Sequence, residues 1–482
     1  MEHVQDMEKF IPEKLKTLSA VLPAPLYVVG GSVRDFLAGH AREEGDFSDW
    51  DVCAPVLPET FAAAAEKCGF LVHSVYKNTG TVKLTDPSGT GVEFSPFRSD
   101  EYVRGTHTPA AVWFTQDIVL DAKRRDFTCN AVYYDIKNHS FADPLGGMSD
   151  IAAKRMRTVR ESGRVFGEDG LRLLRLARQC GQLGFTPDEE TLFGARQNAA
   201  LIRDIVPERI FAELKLMLCA DEKYGVGDGH YRALRVLDQT RVLDEILPEL
   251  AVGRGMEQPA AFHAYDVLEH SLRCVLYAPA FIRFAALLHD AGKPFCKNRD
   301  GNFYLHPEEG AALSDAILSR LKAPVKLKAQ TRELVLWHMY DMLCDVREKK
   351  LRRFFVEHAS LLDELISLKQ ADYSACKDDL SPAPTVARWR ELLTRMRAEN
   401  APFSLRDLRV TGKDILQAGL PASYAGKVLH ALLLHCAAAP QDNRADRLIR
   451  IAFGAYNDLK AAEKAKGSAN RRAVRKERRM TE

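Results

Sequence analysis

The sequence predicts a small α/β domain followed by a long all-α remainder, arranged as an elongated chain of several domains. Three observations lead to this fold class. The chain has 482 residues, which is too long for one hydrophobic core, so roughly two to four domains are expected. Residues 26–145 mix short apolar, strand-like runs with helical stretches. From about residue 150 onward, apolar residues recur with a helical period of about 3.6 and strand signals are few.

Composition and charge narrow the functional class without naming it. With 46% hydrophobic and 28% charged residues, the composition is that of an ordinary globular protein. The net charge is only +2, so any contact with nucleic acid has to come from local basic patches. No apolar run approaches the roughly 20 residues that span a bilayer, and the first residues lack a signal-peptide core, so no membrane partner is expected. Ten scattered cysteines without a CxxC pair indicate reduced thiols in a cytoplasmic protein. The protein is expected to be a monomer or a dimer.

The first element is a strand, a glycine turn and a helix. The apolar run 26–29 is typical of a short buried strand, and Gly30-Gly31 permits a tight turn that brings bare backbone against a ligand. Ser32 is a predicted N-cap for a helix that carries Arg34 and Asp35. Free N–H groups and the positive end of the helix dipole suit phosphate at such a position.

Two carboxylates follow on the next strand. Asp49 and Asp51 are spaced i, i+2, which places both side chains on one face of a strand. Two neighbouring carboxylates repel each other unless a cation lies between them, and hard oxygen ligands suit Mg²⁺. A phosphate-binding turn beside this pair indicates metal-assisted nucleotidyl transfer. The alternative is an ordinary turn and a solvated strand end.

The turn and the carboxylate pair, in this order and spacing, resemble the head-domain signature of the class II tRNA nucleotidyltransferase and bacterial poly(A) polymerase family. That family belongs to the polymerase-β-like nucleotidyltransferases. The resemblance implies an α/β polymerase-β-like head, with Asp49 and Asp51 as catalytic ligands of Mg²⁺. It also implies a third carboxylate on a neighbouring strand, for which Glu93 is the candidate; the alternative is an exposed glutamate on an edge strand. Further strands are predicted at 72–76, 82–85, 92–97 and 131–134, and the turn 86–89 is expected to form a hairpin.

A second motif lies at 124–131, with the sequence RRDFTCNA. It closely resembles the family's RRDFT-x-NA motif, in which these residues hold the ribose and triphosphate. Guanidinium groups match phosphate oxygens in a bidentate manner, which accounts for the arginines. The resemblance therefore implies nucleotide binding by Gly30, Gly31, Arg34, Arg124, Arg125, Asp126 and Asn130. Without it, a solvated turn is the alternative.

The stretch 168–178 predicts a helix with acids at its start and a basic stripe at Arg172, Arg175 and Arg178. It resembles the family's EDxxRxxRAxR motif. In that family an acid and an arginine pair with the edge of the incoming base, so that the protein itself selects CTP and ATP. By position these residues are Asp169 and Arg172, and Arg175 and Arg178 are expected beside the nucleotide. The alternative is a helix with ordinary ion pairs.

A different constellation occupies about 260–380. Its order His270, His289-Asp290, Asp372 resembles the HD phosphohydrolase superfamily, in which these residues bind a divalent metal that activates water. His306 and His338 lie where two-metal members place further ligands, which allows a second ion. The metal's identity stays open. Some class II enzymes with this domain act as 2′,3′-cyclic phosphodiesterase or phosphatase.

The C-terminal part carries weaker signals. Residues 408–416 resemble the region that grips the tRNA elbow in the family. From Lys460 to Glu482 there are nine Lys and Arg against three acids, which indicates a disordered end, an RNA-binding extension, or both. The predicted domains are a head at 1–148, a neck at 149–220, an HD-containing body at 221–385, a helical tail at 386–460 and a basic, disordered end at 461–482.

The leading hypothesis is template-independent addition of CMP, CMP and AMP to the 3′ end of tRNA, with phosphohydrolase activity at the HD site. One alternative is a poly(A) polymerase, or an enzyme that adds only CC or only A. The stretch 102–109 keeps it open, because the family's acid in that loop is absent and the acids lie earlier, at Asp100 and Glu101. Another alternative is a metal-dependent phosphohydrolase whose head only binds tRNA.

Overall fold

The computed structural model describes residues 7–40, 47, 49–101 and 110–481, with side chains as far as 465. An α/β head is followed by a helical remainder, as predicted. Each helix in the described part of the chain is either too short or too polar to traverse a lipid bilayer.

A mixed sheet forms the head. Its seven strands follow the order β3-β4-β5-β2-β1-β8-β9, and β2 and β5 form its parallel pair. A separate hairpin pairs β6 with β7, and a short parallel ladder joins β10 to β11. The strands are β1 Tyr27–Val29, β2 Asp49–Ala54, β3 Leu71–Tyr76, β4 Thr81–Thr85, β5 Gly91–Pro96, β6 Arg98–Glu101, β7 Ala111–Phe114, β8 Tyr133–Asp135, β9 Ser140–Ala142, β10 Arg155–Met156 and β11 Thr186–Pro187.

The two faces of the sheet have different surroundings, since side chains alternate along each strand. Trp50 and Val52 of β2 point into the main hydrophobic core, which continues through the helices to the C-terminal part. Cys53 and Val29 point to the opposite face and join a small second cluster with Tyr133. Asp49 and Asp51 share the face of Cys53, so the candidate catalytic residues lie on the side of the smaller cluster.

Most of the predicted strands of the head are confirmed. The runs 72–76, 82–85 and 92–97 correspond to β3, β4 and β5, and the turn at 86–89 joins β4 to β5. Asp86 stabilises that turn by accepting hydrogen bonds from the N–H groups of Ser88 and Thr90 at 2.8 and 2.9 Å. The strand predicted at 131–134 begins later, at Tyr133, because residues 128–130 form a single 3₁₀ turn.

Helices make up most of the described chain after the head. α7 packs against α9 and α11, α11 packs against α14, and α14 packs against α20. The helices are α1 Glu13–Val21, α2 Gly31–Leu37, α3 Pro58–Lys67, α4 Ile118–Lys123, α5 Gly147–Ala152, α6 Ser162–Glu168, α7 Leu171–Leu183, α8 Glu189–Gln197, α9 Pro207–Leu218, α10 Ala220–Tyr224, α11 Gly229–Gln239, α12 Val242–Ile246, α13 Pro248–Ala251, α14 Val267–Tyr277, α15 Arg283–Leu288, α16 Lys293–Asp300, α17 His306–Arg320, α18 Val325–Trp337, α19 Glu348–Glu357, α20 Leu362–Lys377, α21 Pro384–Ala398, α22 Gly412–Gln417, α23 Ala422–Ala438 and α24 Ala445–Thr481.

The basic C-terminal segment differs from the expectation. Disorder was expected from residue 461, whereas the backbone continues as α24 to Thr481. Ala, Lys, Arg and Glu dominate this segment, and all four are strong helix formers, which accounts for the helix. The proposed domain boundaries remain predictions.

Candidate functional site

The glycine turn brings main chain directly against the carboxylate pair. Gly30 ends β1 with φ +82°, a conformation that favours glycine, and α2 begins at Gly31. A Cβ atom on Gly30 would lie 3.0 Å from Asp51 Oδ2. The N-cap prediction for Ser32 is wrong, because Gly30 occupies that position; the Ser32 hydroxyl instead donates to the main-chain oxygen of Asp49 at 3.4 Å.

Three carboxylates meet on this face of the sheet. Asp49 and Asp51 are both exposed on β2, and Asp51 stands in register with Glu93 on the parallel strand β5. Desolvation raises the pKa of Asp51, and repulsion from Glu93 and Asp49 raises it further, against the opposing effect of Arg125. Glu93 also pairs with Lys83 Nζ at 3.2 Å. Carboxylates that repel one another in this way offer hard oxygen ligands to a divalent cation.

A buried aspartate holds the two motif arginines side by side. Asp121 Oδ1 accepts from Arg124 Nε at 2.7 Å, and Asp121 Oδ2 accepts from Arg125 Nη2 at 3.0 Å. Although burial opposes it, these two guanidinium groups keep the pKa of the Asp121 carboxyl well below its usual range. Asp121 was not among the residues predicted from the sequence. Its position on α4, three and four residues before Arg124 and Arg125, was the available signal.

The remaining motif residues form a buried polar network. Asp126 Oδ2 accepts from Arg175 Nε and Nη2 at 2.8 and 2.6 Å, and Asp126 Oδ1 accepts from Asn130 Nδ2 at 2.9 Å. Asn130 Oδ1 in turn accepts from Arg34 Nη1 at 2.7 Å. Arg34 is buried and ion-paired to Asp35 at 2.6 Å. The network therefore links the glycine turn, the arginine motif and the neck helix α7.

This network also includes Tyr224, which no sequence motif indicated. Tyr224, at the end of α10, donates a hydrogen bond from its hydroxyl to Asp35 Oδ2, and Arg34 Nη2 lies 3.4 Å from the same hydroxyl. The Tyr224 ring stacks on His40 with centroids 4.4 Å apart. Tyr224 thus connects the helix behind the glycine turn to the helical remainder.

We expect Tyr224→Phe to destabilise the junction between the head and the helical remainder. The change removes one hydroxyl from a charged hydrogen bond, which costs roughly 1–3 kcal/mol. Thermal unfolding should therefore begin several degrees lower, as measured by calorimetry. Tyr76→Phe, at a position 49% exposed on β3, is the matched control and should leave the unfolding temperature unchanged. Equal unfolding temperatures for both variants would contradict a linking role for Tyr224.

The neck motif does not form the single helix that was predicted. α6 ends at Glu168, Asp169 is extended with φ −144°, and α7 begins at Leu171. A glycine is required at this junction, since a Cβ on Gly170 would lie 2.8 Å from the main-chain oxygen of Leu201. Asp169 accepts from the N–H of Leu171 at 2.9 Å and so caps α7.

The predicted arginine stripe is present on α7, and its members have different partners. Arg172 is buried and donates to the main-chain oxygens of Val165 and Arg124 at 3.0 and 2.8 Å. Arg178 Nε donates to Glu213 Oε2 on α9 at 2.7 Å. Arg172 thereby fixes the neck against the arginine motif, which places Asp169 and Arg172 beside the head.

A cavity of about 520 Å³ lies between the β6–β7 hairpin and α6. Its lining includes Asp100, Trp113, Arg164 and Glu168.

The stretch 102–109, on which the assignment of C and A addition depends, lies outside the described residues.

The HD residues lie far apart in the sequence and meet in the body. His270 lies in α14, His289 and Asp290 follow α15, and Asp372 lies in α20. His270 Nε2 is 3.2 Å from His289 Nε2, 3.0 Å from Asp372 Oδ1 and 3.3 Å from Asp290 Oδ2. Ligand atoms held by one ion at about 2.1 Å stand roughly 3.0–3.4 Å apart, so these separations fit a metal.

His306 and His338 form a second set on the other side of Asp290. Their Nε2 atoms are 3.2 Å apart and lie 3.4 and 3.8 Å from Asp290 Oδ1. Their Nδ1 atoms lie 2.8 and 2.6 Å from the main-chain oxygens of Phe303 and Val335, so each Nε2 presents a lone pair. Within the described residues, Asp290 Oδ1 has no hydrogen-bond donor. Three acceptors that converge without a proton suit a second cation.

Two family models and several relatives match this chain. Residues 26–157 match the poly A polymerase head domain, and residues 184–253 match a family described as the probable RNA and SrmB-binding site of polymerase A. An A-adding tRNA nucleotidyltransferase from Deinococcus radiodurans is 33% identical over 85% of this chain and 91% of its own. A multifunctional CCA protein from Stenotrophomonas maltophilia is 33% identical over 66% of this chain and 78% of its own.

Solved structures share the fold. A CCA-adding enzyme from Bacillus stearothermophilus in complex with CTP superposes with a TM-score of 0.61 at 23% identity, over 94% of this chain and all of that one. A Thermotoga maritima CCA-adding enzyme complexed with tRNA gives a TM-score of 0.58 at 17% identity, over 92% of this chain and 96% of that one. The predicted multi-domain architecture is therefore confirmed.

Proposed function

Because this chain belongs to the tRNA nucleotidyltransferase family that contains the A-adding and CCA-adding enzymes, we propose that it adds CMP, CMP and AMP from CTP and ATP to the 3′ end of tRNA. Nucleotidyl transfer in this family depends on a divalent metal, and we propose Mg²⁺ for this chain. We also propose a cytoplasmic location, which the free thiols of the described residues support, because thiols stay reduced in that compartment.

One observation carries this proposal, namely that Asp51, beside Asp49 and Glu93, lies so close to Gly30 that a Cβ there would be 3.0 Å from its carboxylate. The three carboxylates would hold Mg²⁺, and the raised pKa of Asp51 supports a site that favours positive charge. When bound, Mg²⁺ supplies Lewis-acid stabilisation to the attacking 3′-hydroxyl and the triphosphate. The N–H groups at Gly30 and Gly31 lie at the start of α2, where they suit phosphate oxygens.

The arginines and the neck complete the proposed nucleotide site. Arg124 and Arg125, oriented by Asp121, bind the triphosphate through their guanidinium groups. Asp126, Asn130 and Arg34 hold the wall of the site through the buried network, with Arg175 and Arg178 anchoring α7. Asp169 and Arg172 read the base by acceptor and donor contacts, and the main-chain bonds of Arg172 keep its guanidinium rigid for this role.

Addition of AMP alone is the second candidate. The relative from Deinococcus radiodurans, which this chain covers over 91% of its length, is an A-adding enzyme. Residues 102–109 lack the acid that the family has in this loop, and this departure favours the same candidate. In the family that the sequence resembles, this loop helps to switch from C to A addition.

Product ends distinguish the two candidates. Purified protein is incubated with tRNA lacking its end, and with tRNA ending in CC, together with CTP, ATP or both. CCA addition predicts three added nucleotides on the shorter tRNA when both nucleotides are present. A-only addition predicts one nucleotide, on the tRNA ending in CC and with ATP alone. Absence of incorporation into either tRNA contradicts both, and a long A tract favours a poly(A) polymerase.

We further propose that the body binds two divalent ions and hydrolyses phosphoesters. His270, His289 and Asp372 form one ligand set, His306 and His338 form the other, and Asp290 lies between them. The lone pairs of His306 and His338 converge on Asp290 Oδ1, which has no hydrogen-bond donor among the described residues, and this supports the proposal. Lys293 Nζ lies 2.6 Å from Asp290 Oδ2, where it can neutralise a bound phosphate. A bound metal would activate water for attack on the ester.

A further inference from the structure

A third group of side chains that could bind a metal lies beside the HD ligands and shares only His270 with them. His263, His270 and Cys376 bring one ligand atom each to within 4.8 Å of one another. His263 precedes α14, His270 lies within it, and Cys376 lies in the last turn of α20. The main-chain N–H of Ala264 donates to the oxygen of Cys376 at 2.8 Å, so the segment that carries His263 is fixed on α20.

One ring nitrogen of His270 is available to bind a ligand. A metal-bound histidine usually donates its other ring N–H to an acceptor. His289, His306 and His338 follow this rule, with Nδ1 2.6–2.8 Å from a main-chain oxygen. In contrast, Nδ1 of the fully buried His270 has no hydrogen-bond partner among the described residues, and the same holds for Nδ1 of His263.

The surroundings of these two nitrogens point to a ligand rather than to solvent. The rings of His263 and His270 meet edge to face, with centroids 4.9 Å apart. A buried ring nitrogen without a partner is energetically unfavourable, so two adjacent unpaired nitrogens indicate a ligand. Cys376 is partly buried, and its thiol donates to the main-chain oxygen of Asp372 at 3.4 Å. One sulfur and two imidazoles form a softer donor set than the sets around Asp290, each of which contains a carboxylate and no sulfur.

We propose that His263, His270 and Cys376 form a third metal site, which takes a thiophilic divalent ion of the zinc class. The ion binds the Cys376 sulfur as thiolate, and the thiol proton passes to solvent. His270 contributes Nδ1 to this ion and Nε2 to the neighbouring HD ligand set, so its imidazole connects the two. Because ligand atoms around zinc stand roughly 3.3–3.8 Å apart, these side chains need only a small movement to bind the ion.

The site has a consequence for the HD ligands. An ion on Nδ1 fixes the ring of His270 and displaces its N–H proton to solvent, and the resulting imidazolate is a stronger donor to the first ion through Nε2. Occupancy of the soft site therefore couples to metal affinity at the hard site. The inference does not require phosphohydrolase activity, because its defining feature is a thiolate ligand that the sets around Asp290 lack.

Cadmium is the probe, since its thiolate complexes show an ultraviolet charge-transfer band. The full-length protein is stripped with a chelator and titrated with Cd²⁺. We expect a thiolate band that saturates at one equivalent per chain. Cys376→Ser should abolish the band, and His263→Gln should weaken the binding roughly tenfold or more. Cys344→Ser, at another partly buried thiol, is the matched control and should leave the band unchanged.

The outcomes separate this site from the HD sites. Asp290→Asn should retain the thiolate band even when binding at the other two sets fails, since Asp290 is not a ligand here. Persistence of the band in Cys376→Ser, or its loss in Cys344→Ser, overturns the proposal. Binding of Cd²⁺ without any thiolate band also overturns it.

Discussion

Asp51→Asn is expected to reduce the incorporation of CTP and ATP into truncated tRNA by roughly a thousandfold or more. The amide keeps the shape of the side chain and removes the negative charge that lies against Gly30. Loss of about 4 kcal/mol of stabilisation at a metal-assisted phosphoryl centre corresponds to a thousandfold change in rate. The repulsion that Asp49 and Glu93 now exert on Asp51 also disappears, so the fold should not be weakened.

The measurement is the initial rate of incorporation from labelled nucleotides under saturating tRNA. Glu59→Gln, an exposed carboxylate in the first turn of α3, is the control in the same domain and should retain the full rate. Asp290→Asn should also retain it, because that residue lies in the body. Full incorporation by Asp51→Asn would remove the basis for nucleotidyl transfer at this site.

Local features of the site could be predicted from the sequence because their chemistry lies within a few residues. The turn at Gly30 and the shared face of Asp49 and Asp51 follow from chain conformation alone. Glu93 required one further step, since strand register has to bring it beside Asp51. The motif supplied that step, and β5 pairs with β2 in this register.

Long-range pairing explains what the sequence could not provide. Arg34 was expected on phosphate, and it also pairs with Asp35 and, much further along the chain, with Asn130 and Tyr224. Nothing in the local pattern specifies a contact across such separations. The requirement for glycine at position 170 has the same origin, because the main chain of Leu201 leaves no room for a Cβ there.

The buried histidines show how tertiary structure adds chemistry to a recognised pattern. The order of the HD residues indicated a metal, but it did not show which ring nitrogen faces inward. The main-chain carbonyls that bind Nδ1 of His306 and His338 decide this, because they leave the Nε2 lone pairs directed at Asp290. Burial lowers the pKa of His338 to about 3, so its imidazole is neutral and able to bind a cation.

Asp290→Asn is expected to abolish metal binding at both ligand sets in the body. Asp290 lies 3.2–3.4 Å from the ligand nitrogens of His270, His289 and His306, so it serves both sets. An amide offers one neutral oxygen in place of two charged ones, which is insufficient to hold two divalent ions. Equilibrium dialysis with Mn²⁺ should show two fewer bound ions per chain, and any phosphoesterase activity should fall by roughly a thousandfold.

His338→Gln separates the two sets, since the Nε2 atom of His338 is directed at His306 and Asp290 Oδ1 in the second set. This variant should lose one bound ion and keep the other, whereas Asp290→Asn loses both. Lys293 retains Gln258 as a partner at 2.7 Å in Asp290→Asn, so folding should persist and can be verified by thermal unfolding. Equal ion counts in the two variants would mean that Asp290 does not bridge the sets. Retention of every bound ion by His338→Gln would mean that the second pair of histidines is structural and that the body holds a single ion.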